Sequence, residues 1–155
     1  TPYNIYNKQG FLTLSGDHYV DYKDVFNWFV MLIKKYKIRP LKVGYDRFSA
    51  QYLIQDMAQA GFHVDDVFQG TNLSPLLKEF EGIIKDKKIN IGENNLLKSH
   101  LLNVAVQINS GDGRMKPAKI EPRMRIDGFV SVIDAMTVRS KYYSEIGKQL
   151  ENNAA

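Results

Sequence analysis

Residues 38–68, IRPLKVGYDRFSAQYLIQDMAQAGFHVDDVF, decide the fold class. Pro40 cannot donate a backbone hydrogen bond and ends the helical pattern before it. Leu41 to Tyr45, LKVGY, is a short apolar run that reads as a buried strand and delivers Asp46 at its C-terminal end. Ala50, Leu53, Ile54, Met57 and Ala58 then recur at the spacing of one helix face. Gly61 stops that helix, since glycine takes the left-handed conformation of a helix end without strain. His63 to Phe68 follows as a short second strand. Strand, helix and strand in succession place the chain in the α/β class.

Upstream, Phe11 to Leu14 reads as a short strand closed by the turn residues Ser15-Gly16-Asp17. A helix is expected from the N-cap Asp21 to about Lys37, with Val25, Trp28, Phe29, Leu32 and Tyr36 as its core stripe. Downstream, Ser74-Pro75 reads as an N-cap followed by proline at the first helical position. That helix turns Leu77, Phe80 and Ile84 inward. Asn94 to His100 is ambiguous. Val104, Val106 and Ile108 alternate as in a half-buried strand, and Gly111-Asp112-Gly113 turns the chain. A basic segment leads to a last helix from Asp127-Gly128, with Val130, Ile133, Met136 and Thr137 inside. Residues 1–144 are expected to form one domain, and 145–155 a frayed polar tail.

Composition sets the bounds. The 155 residues are 44% hydrophobic and 25% charged, enough to bury a core. The longest apolar run, Trp28 to Ile33, has six residues, far short of the ~18 of a membrane helix. Without cysteine there is no disulfide framework, thiolate zinc site or cysteine nucleophile. The opening TPYNIYNKQG has no basic-then-apolar signal and no starting Met, and reads as part of a longer chain. Arg114, Lys116, Lys119, Arg123 and Arg125 face only Glu121 between positions 114 and 125, a local excess equal to the chain's net charge of +4. Lys34, Lys35, Lys37, Arg39 and Lys42 form a second, acid-free cluster. Both suit a polyanion such as a nucleic-acid backbone, and equally a solvated basic face.

Motif absences narrow the chemistry. No G-x-x-x-x-G-K-[ST], H-E-x-x-H or G-x-S-x-G occurs, and His18, His63 and His100 lie far apart in sequence. Carboxylates carry more. Asp46 closes a strand, where α/β sheets place functional groups, and Asp127 opens a helix after the basic segment. Carboxylates gathered at such element ends hold Mg²⁺ or Mn²⁺, and two such ions cut phosphodiesters. The same residues also read as helix N-caps, and spacing leaves both readings open. Asp134 lies two turns beyond Asp127, about 10 Å along the helix, and is at most a flanking ligand. His63, Asp65 and Asp66 form a weaker cation candidate.

Four stretches, in order, resemble the C-terminal nuclease domain of the large terminase subunit of tailed bacteriophages. They are YNIYNKQGFLTLSGDHYVDY (3–22), IRPLKVGYDRFSAQYLIQDMAQAGF (38–62), FQGTNLSPLLKEFEGIIKDKKI (68–89) and LNVAVQINSGDGRMKPAKIEPRMRIDGFVSVIDAM (102–136). The last resembles the family's Asn, distal basic residue and terminal Ile-Asp-Gly helix. The resemblance implies a ribonuclease-H-like mixed sheet flanked by helices, lacking its first strand and that strand's Asp in this chain.

What the resemblance implies for function is a two-metal endonuclease cutting double-stranded DNA during genome packaging. Asp46 and Asp127 would be catalytic ligands of Mg²⁺ or Mn²⁺, with Asp134 flanking. Lys119 would be the catalytic basic residue, and Arg114, Lys116, Lys119, Arg123 and Arg125 would engage DNA. The implied partners are an ATPase domain, a small terminase subunit and a portal, in the cytoplasm of an infected bacterial host and with no membrane. A non-catalytic DNA-binding or motor-docking fragment of the same subunit is the alternative.

Overall fold

The computed structural model describes residues 2–48 and 51–154, with no side-chain description for 153 and 154. Ala50, expected on a helix face, and the final Ala155 lie outside the described residues. The elements run α1 (Tyr3–Lys8), α2 (Tyr22–Tyr36), β1 (Val43–Asp46), α3 (Gln51–Gln59), β2 (Val64–Val67), a 3-10 turn (Thr71–Leu73), α4 (Ser74–Lys85) and α5 (Asn95–Leu102). β3 (Val104–Ile108), β4 (Met115–Lys119), α6 (Asp127–Lys141) and α7 (Tyr143–Ala154) complete the order. The chain is thus mixed α/β. Instead of one mixed sheet, the described residues form a parallel pair, β1–β2, and an antiparallel pair, β3–β4. The elements divide between two compact units.

One unit comprises Ser15–Val67 and the residues from Asp134 onward. Its β1–α3–β2 segment pairs Val43 with Val64 and Asp46 with Val67. Leu53 and Met57 of α3 are buried with Val67 and Val138. Gly61, at φ +88°, lets the Phe62 N–H turn back to the Met57 carbonyl at 3.0 Å, which seals the end of α3. Asp21 caps α2 as expected, its carboxylate accepting from the Lys23 N–H at 2.8 Å. The inner face of α2 differs from the expected stripe. Phe26 and Phe29 meet Phe62 edge to face at 6.4 and 5.8 Å, whereas Trp28 is 46% exposed and Tyr36 is exposed too. The run WFVMLI is apolar all round, so spacing alone does not say which stripe turns inward.

In the same unit, Gly44 meets α6 backbone to backbone. A Cβ at Gly44 would lie 2.6 Å from the Asp134 carbonyl oxygen. The expected frayed tail is helix α7. Lys42, whose side chain is 8% exposed, reaches Glu145 at 2.7 Å and stacks 4.3 Å over the Tyr142 ring, tethering this polar helix.

The other unit comprises the residues up to Leu14 and Phe68–Ile133. Leu73, Leu77, Phe80, Ile126, Phe129 and Ile133 form its buried core, with Phe80 and Phe129 edge to face at 5.6 Å. Each fully buried side chain of this kind contributes about 1.5–3 kcal/mol. Ile84, expected inside, is 45% exposed. Phe11–Leu14 is not a strand. It is tied to α1 by Phe11 N–H to the Tyr6 carbonyl at 2.9 Å and Asn7 Nδ2 to the Leu12 carbonyl at 2.8 Å. Ser74 does not cap α4. It is the first helical residue, and its buried hydroxyl accepts from the Met115 N–H at 3.1 Å, joining α4 to β4. Along β3, Val106 and Ile108 are exposed, so the strand exists but is not half-buried as expected.

Candidate functional site

Asp46 stands where the sequence puts it, at the C-terminal end of β1. Its Oδ1 accepts from the Phe48 N–H at 3.2 Å, so it braces the turn after the strand. The described part of the next helix begins at Gln51. Among the described residues nothing pairs with Oδ2. Asp134, in the same unit, is 7% exposed.

The neighbouring acids are occupied by cations. Asp66 takes the Arg47 Nε at 2.5 Å. Asp65 takes the Lys141 Nζ at 2.5 Å and the Tyr142 hydroxyl at 3.1 Å. Partial burial pushes the Asp65 carboxyl up, and the bonds from Lys141 and Tyr142 outweigh this and hold it below its usual value. His63, Asp65 and Asp66 are therefore no cation site: two of the three are held in ion pairs.

Asp127 opens α6 in the other unit. The Ile126 carbonyl already accepts the first helical bond, from the Val130 N–H at 3.0 Å, so Ile126 holds the capping position and Asp127 is inside the first turn. Its carboxylate is exposed and accepts no hydrogen bond among the described residues, and a negative charge there suits the positive end of the helix dipole. The second residue of that turn is held by a group the sequence reading set aside. His100 Nδ1 accepts from the Gly128 N–H at 2.8 Å. Burial lowers the His100 pKa, with Arg125 adding to this and Asp127 opposing it. The imidazole is thus an acceptor poised beside Asp127. The partners lie 28 residues apart, and no local pattern links them.

The basic segment resolves into distinct parts. β3 and β4 form a hairpin, Gln107 opposite Lys116 and Val104 opposite Lys119. Successive strand residues face opposite sides, so Lys116 and Lys119, three apart, do not share a face. Arg114 pairs with Asp112 at 2.6 Å, and the backbone and side-chain bonds from Arg114 hold Asp112 below its usual value. Arg123 and Arg125 are exposed on the loop before Asp127. Asn103 holds that loop at both ends: its carbonyl accepts from the Ile120 N–H at 3.0 Å, and its Nδ2 donates to the Arg125 carbonyl at 2.9 Å.

The structure therefore brings Asp127, Lys119, Arg123 and Arg125 into one unit and Asp46 with Asp134 into the other. Among the described residues, no three His, Asp or Glu side chains gather as a metal-holding group. The carboxylate oxygens of Asp46 and of Asp127 are each hard donors of the kind a divalent cation such as Mg²⁺ takes.

Residues 2–142 match the family described as "Terminase large subunit, endonuclease domain". The fold is similar to that in the crystal structure of the HK97 bacteriophage large terminase, with a TM-score of 0.73 at 21% identity. That likeness covers 86% of this chain and 28% of the HK97 chain, so this chain spans little more than a quarter of that terminase. No curated protein matches.

Proposed function

The chain belongs to the terminase large subunit endonuclease domain family, and from that membership we propose that it is a divalent-metal-dependent endonuclease domain cutting double-stranded DNA during phage genome packaging. The observation that carries the reading is the family match across residues 2–142, with Asp46 ending β1 and Asp127 opening α6, neither in an ion pair among the described residues. We read the fold as ribonuclease-H-like and residues 1–144 as nuclease domain. The parallel β1–α3–β2 segment and the likeness to the HK97 terminase support this.

In this reading Asp46 and Asp127 hold Mg²⁺ or Mn²⁺, with Asp134 in a flanking role. The bound ions would supply Lewis-acid stabilisation of the oxygens that gain charge as a phosphodiester breaks. The chain's own residues do the rest. His100 fixes the first turn of α6 through Gly128 and so orients Asp127. Asn103 sets the course of the loop bearing Arg123 and Arg125, whose charges meet DNA phosphates. Lys119 sits at the end of β4 as the catalytic basic residue, Arg114 adds charge beside the hairpin turn, and Lys116 carries its charge on the opposite face of β4. Phosphate contacts read no sequence, so cleavage is sequence-tolerant. The partners are an ATPase domain, a small terminase subunit and the portal, and the setting is the cytoplasm of an infected bacterium. No helix among the described residues is long and apolar enough to cross a membrane.

Thermal melting with and without Mn²⁺ tests the metal reading. A ligand of the folded state alone raises stability by about 2.7 kcal/mol at a hundred times its dissociation constant. The reading predicts an upward shift that Asp127→Asn reduces. No shift at millimolar Mn²⁺ would favour a DNA-binding module without a metal.

A further inference from the structure

A cavity of about 360 Å³ opens in the unit that contains β1 and β2. Its lining includes Leu41 and His63, which precede the two parallel strands, so it lies at the strand end opposite Asp46. Its volume is within the ~300–1,000 Å³ of small-molecule sites. Ile33, Pro40 and Phe62 supply an apolar wall, and Arg39, His63 and Gln149 supply polar groups.

Two of these polar groups have bonding capacity that no described protein group takes up. Arg39 belongs to the second basic cluster, yet unlike Lys42, which is paired with Glu145, it has no ion-pair partner among the described residues. Gln149 donates through Nε2 to Glu145 at 3.4 Å, and its buried Oε1 accepts from nothing. A terminal amide turns readily about its last torsion, so this oxygen can meet a donor inside the cavity. The cavity is thus lined by a forked cation, by an amide whose oxygen lacks a donor, and by an aromatic ring and a proline as apolar surface.

We propose that this cavity binds a small molecule with a ring-sized apolar body, one phosphate or carboxylate, and one N–H or O–H donor. The anion pairs with the Arg39 guanidinium, whose planar fork matches either group, with His63 beside it. The apolar body lies against Phe62 and Pro40, and the donor meets Gln149 Oε1. None of these residues belongs to the proposed metal or DNA contacts, so the inference stands independently of nuclease activity.

Backbone amide spectra of the full chain, titrated with 4-aminophenyl phosphate, 4-aminophenylacetate and 4-aminobenzyl alcohol, test it. Saturable shifts at Gly61, Phe62 and His63 are expected with at least one of the two anions, and which one responds identifies the anionic group. Binding should weaken at least tenfold for the alcohol and in Arg39→Ala, and should weaken in Gln149→Leu. Arg39 is exposed, so the rest of the Arg39→Ala spectrum should superimpose on that of the parent. Asp127→Asn should bind the probes as the parent does. Absence of saturable shifts at these amides, equal affinity for the alcohol, or unchanged binding in Arg39→Ala or Gln149→Leu would overturn the proposal.

Discussion

The Asn103 side-chain amide donates to the Arg125 carbonyl at 2.9 Å, while the Asn103 carbonyl accepts from the Ile120 N–H at 3.0 Å. One residue after α5 thus closes the loop that carries Arg123 and Arg125 to the doorstep of Asp127. Asn103→Ala keeps the backbone bond and deletes the side-chain one. Such a bond contributes about 0.5–1.5 kcal/mol, a shift of a few degrees in melting midpoint for a chain of this size. The larger expected effect is on DNA: several-fold weaker binding, measured by fluorescence anisotropy on a duplex. Unchanged affinity with a lowered midpoint would reduce Asn103 to a purely structural role.

Gly44 approaches the backbone of α6 closely. A methyl group there would meet the Asp134 carbonyl oxygen at 2.6 Å and carbonyl carbon at 2.9 Å, and neither can swing away as a side-chain tip can. Gly44→Ala must therefore push β1 and α6 apart, at about 1–3 kcal/mol in urea unfolding. Gly147 is the control. It sits within α7 with nothing within 4 Å of an added Cβ, so Gly147→Ala should leave stability unchanged or raise it by about 0.5–1 kcal/mol. The reverse ranking would contradict the packing described.

The Asp65–Lys141 pair predicts a signed pH dependence. The Asp65 carboxyl is lowered from 3.8 in the fold, so its contribution is fully present above 3.8 and is lost as pH falls through the lowered value. The Lys141 amine is raised from 10.5, so its contribution is fully present below 10.5 and is lost as pH rises through the raised value. Stability of the parent minus that of Asp65→Asn should hold level between about pH 5 and 9 and shrink at both extremes. Urea midpoints across that range check it, and a difference that grows in acid would contradict it.

Much of this was legible in the sequence. The strand ending at Asp46, the Asp21 cap, the Gly61 stop and the helix from Asp127 rest on local rules, and the structure has all four. What escaped depends on distant partners. β4 was hidden because MKPAK has a proline and little strand propensity, and its pairing to β3 supplies what the local sequence lacks. The helical tail owes its place to Lys42, a hundred residues upstream, and the bond from Gly128 to His100 likewise joins residues no periodicity connects. Phe11–Leu14 has the residue types of a strand but folds back on α1.

The hairpin geometry separates the basic residues that the linear sequence had grouped. Lys116 and Lys119 face opposite sides of β4, so a single DNA duplex meets one of them, not both. Each lost phosphate contact lowers the slope of log affinity against log salt by about 0.9. Arg123→Ala and Arg125→Ala should each produce that drop, and so should Lys119→Ala, whereas Lys116→Ala should not. Arg114, paired with Asp112, should produce less. Equal drops for both lysines would mean that DNA wraps the hairpin.

The most direct test is cleavage of supercoiled plasmid in Mn²⁺ by the parent chain, Asp46→Asn and Asp127→Asn, read on an agarose gel. The account predicts nicking or linearisation by the parent and none by either variant, with duplex binding retained in all three. Cutting by either variant at the parent's rate would contradict the assignment of these carboxylates. No cutting by any of the three would make the chain a DNA-binding module of the packaging subunit instead.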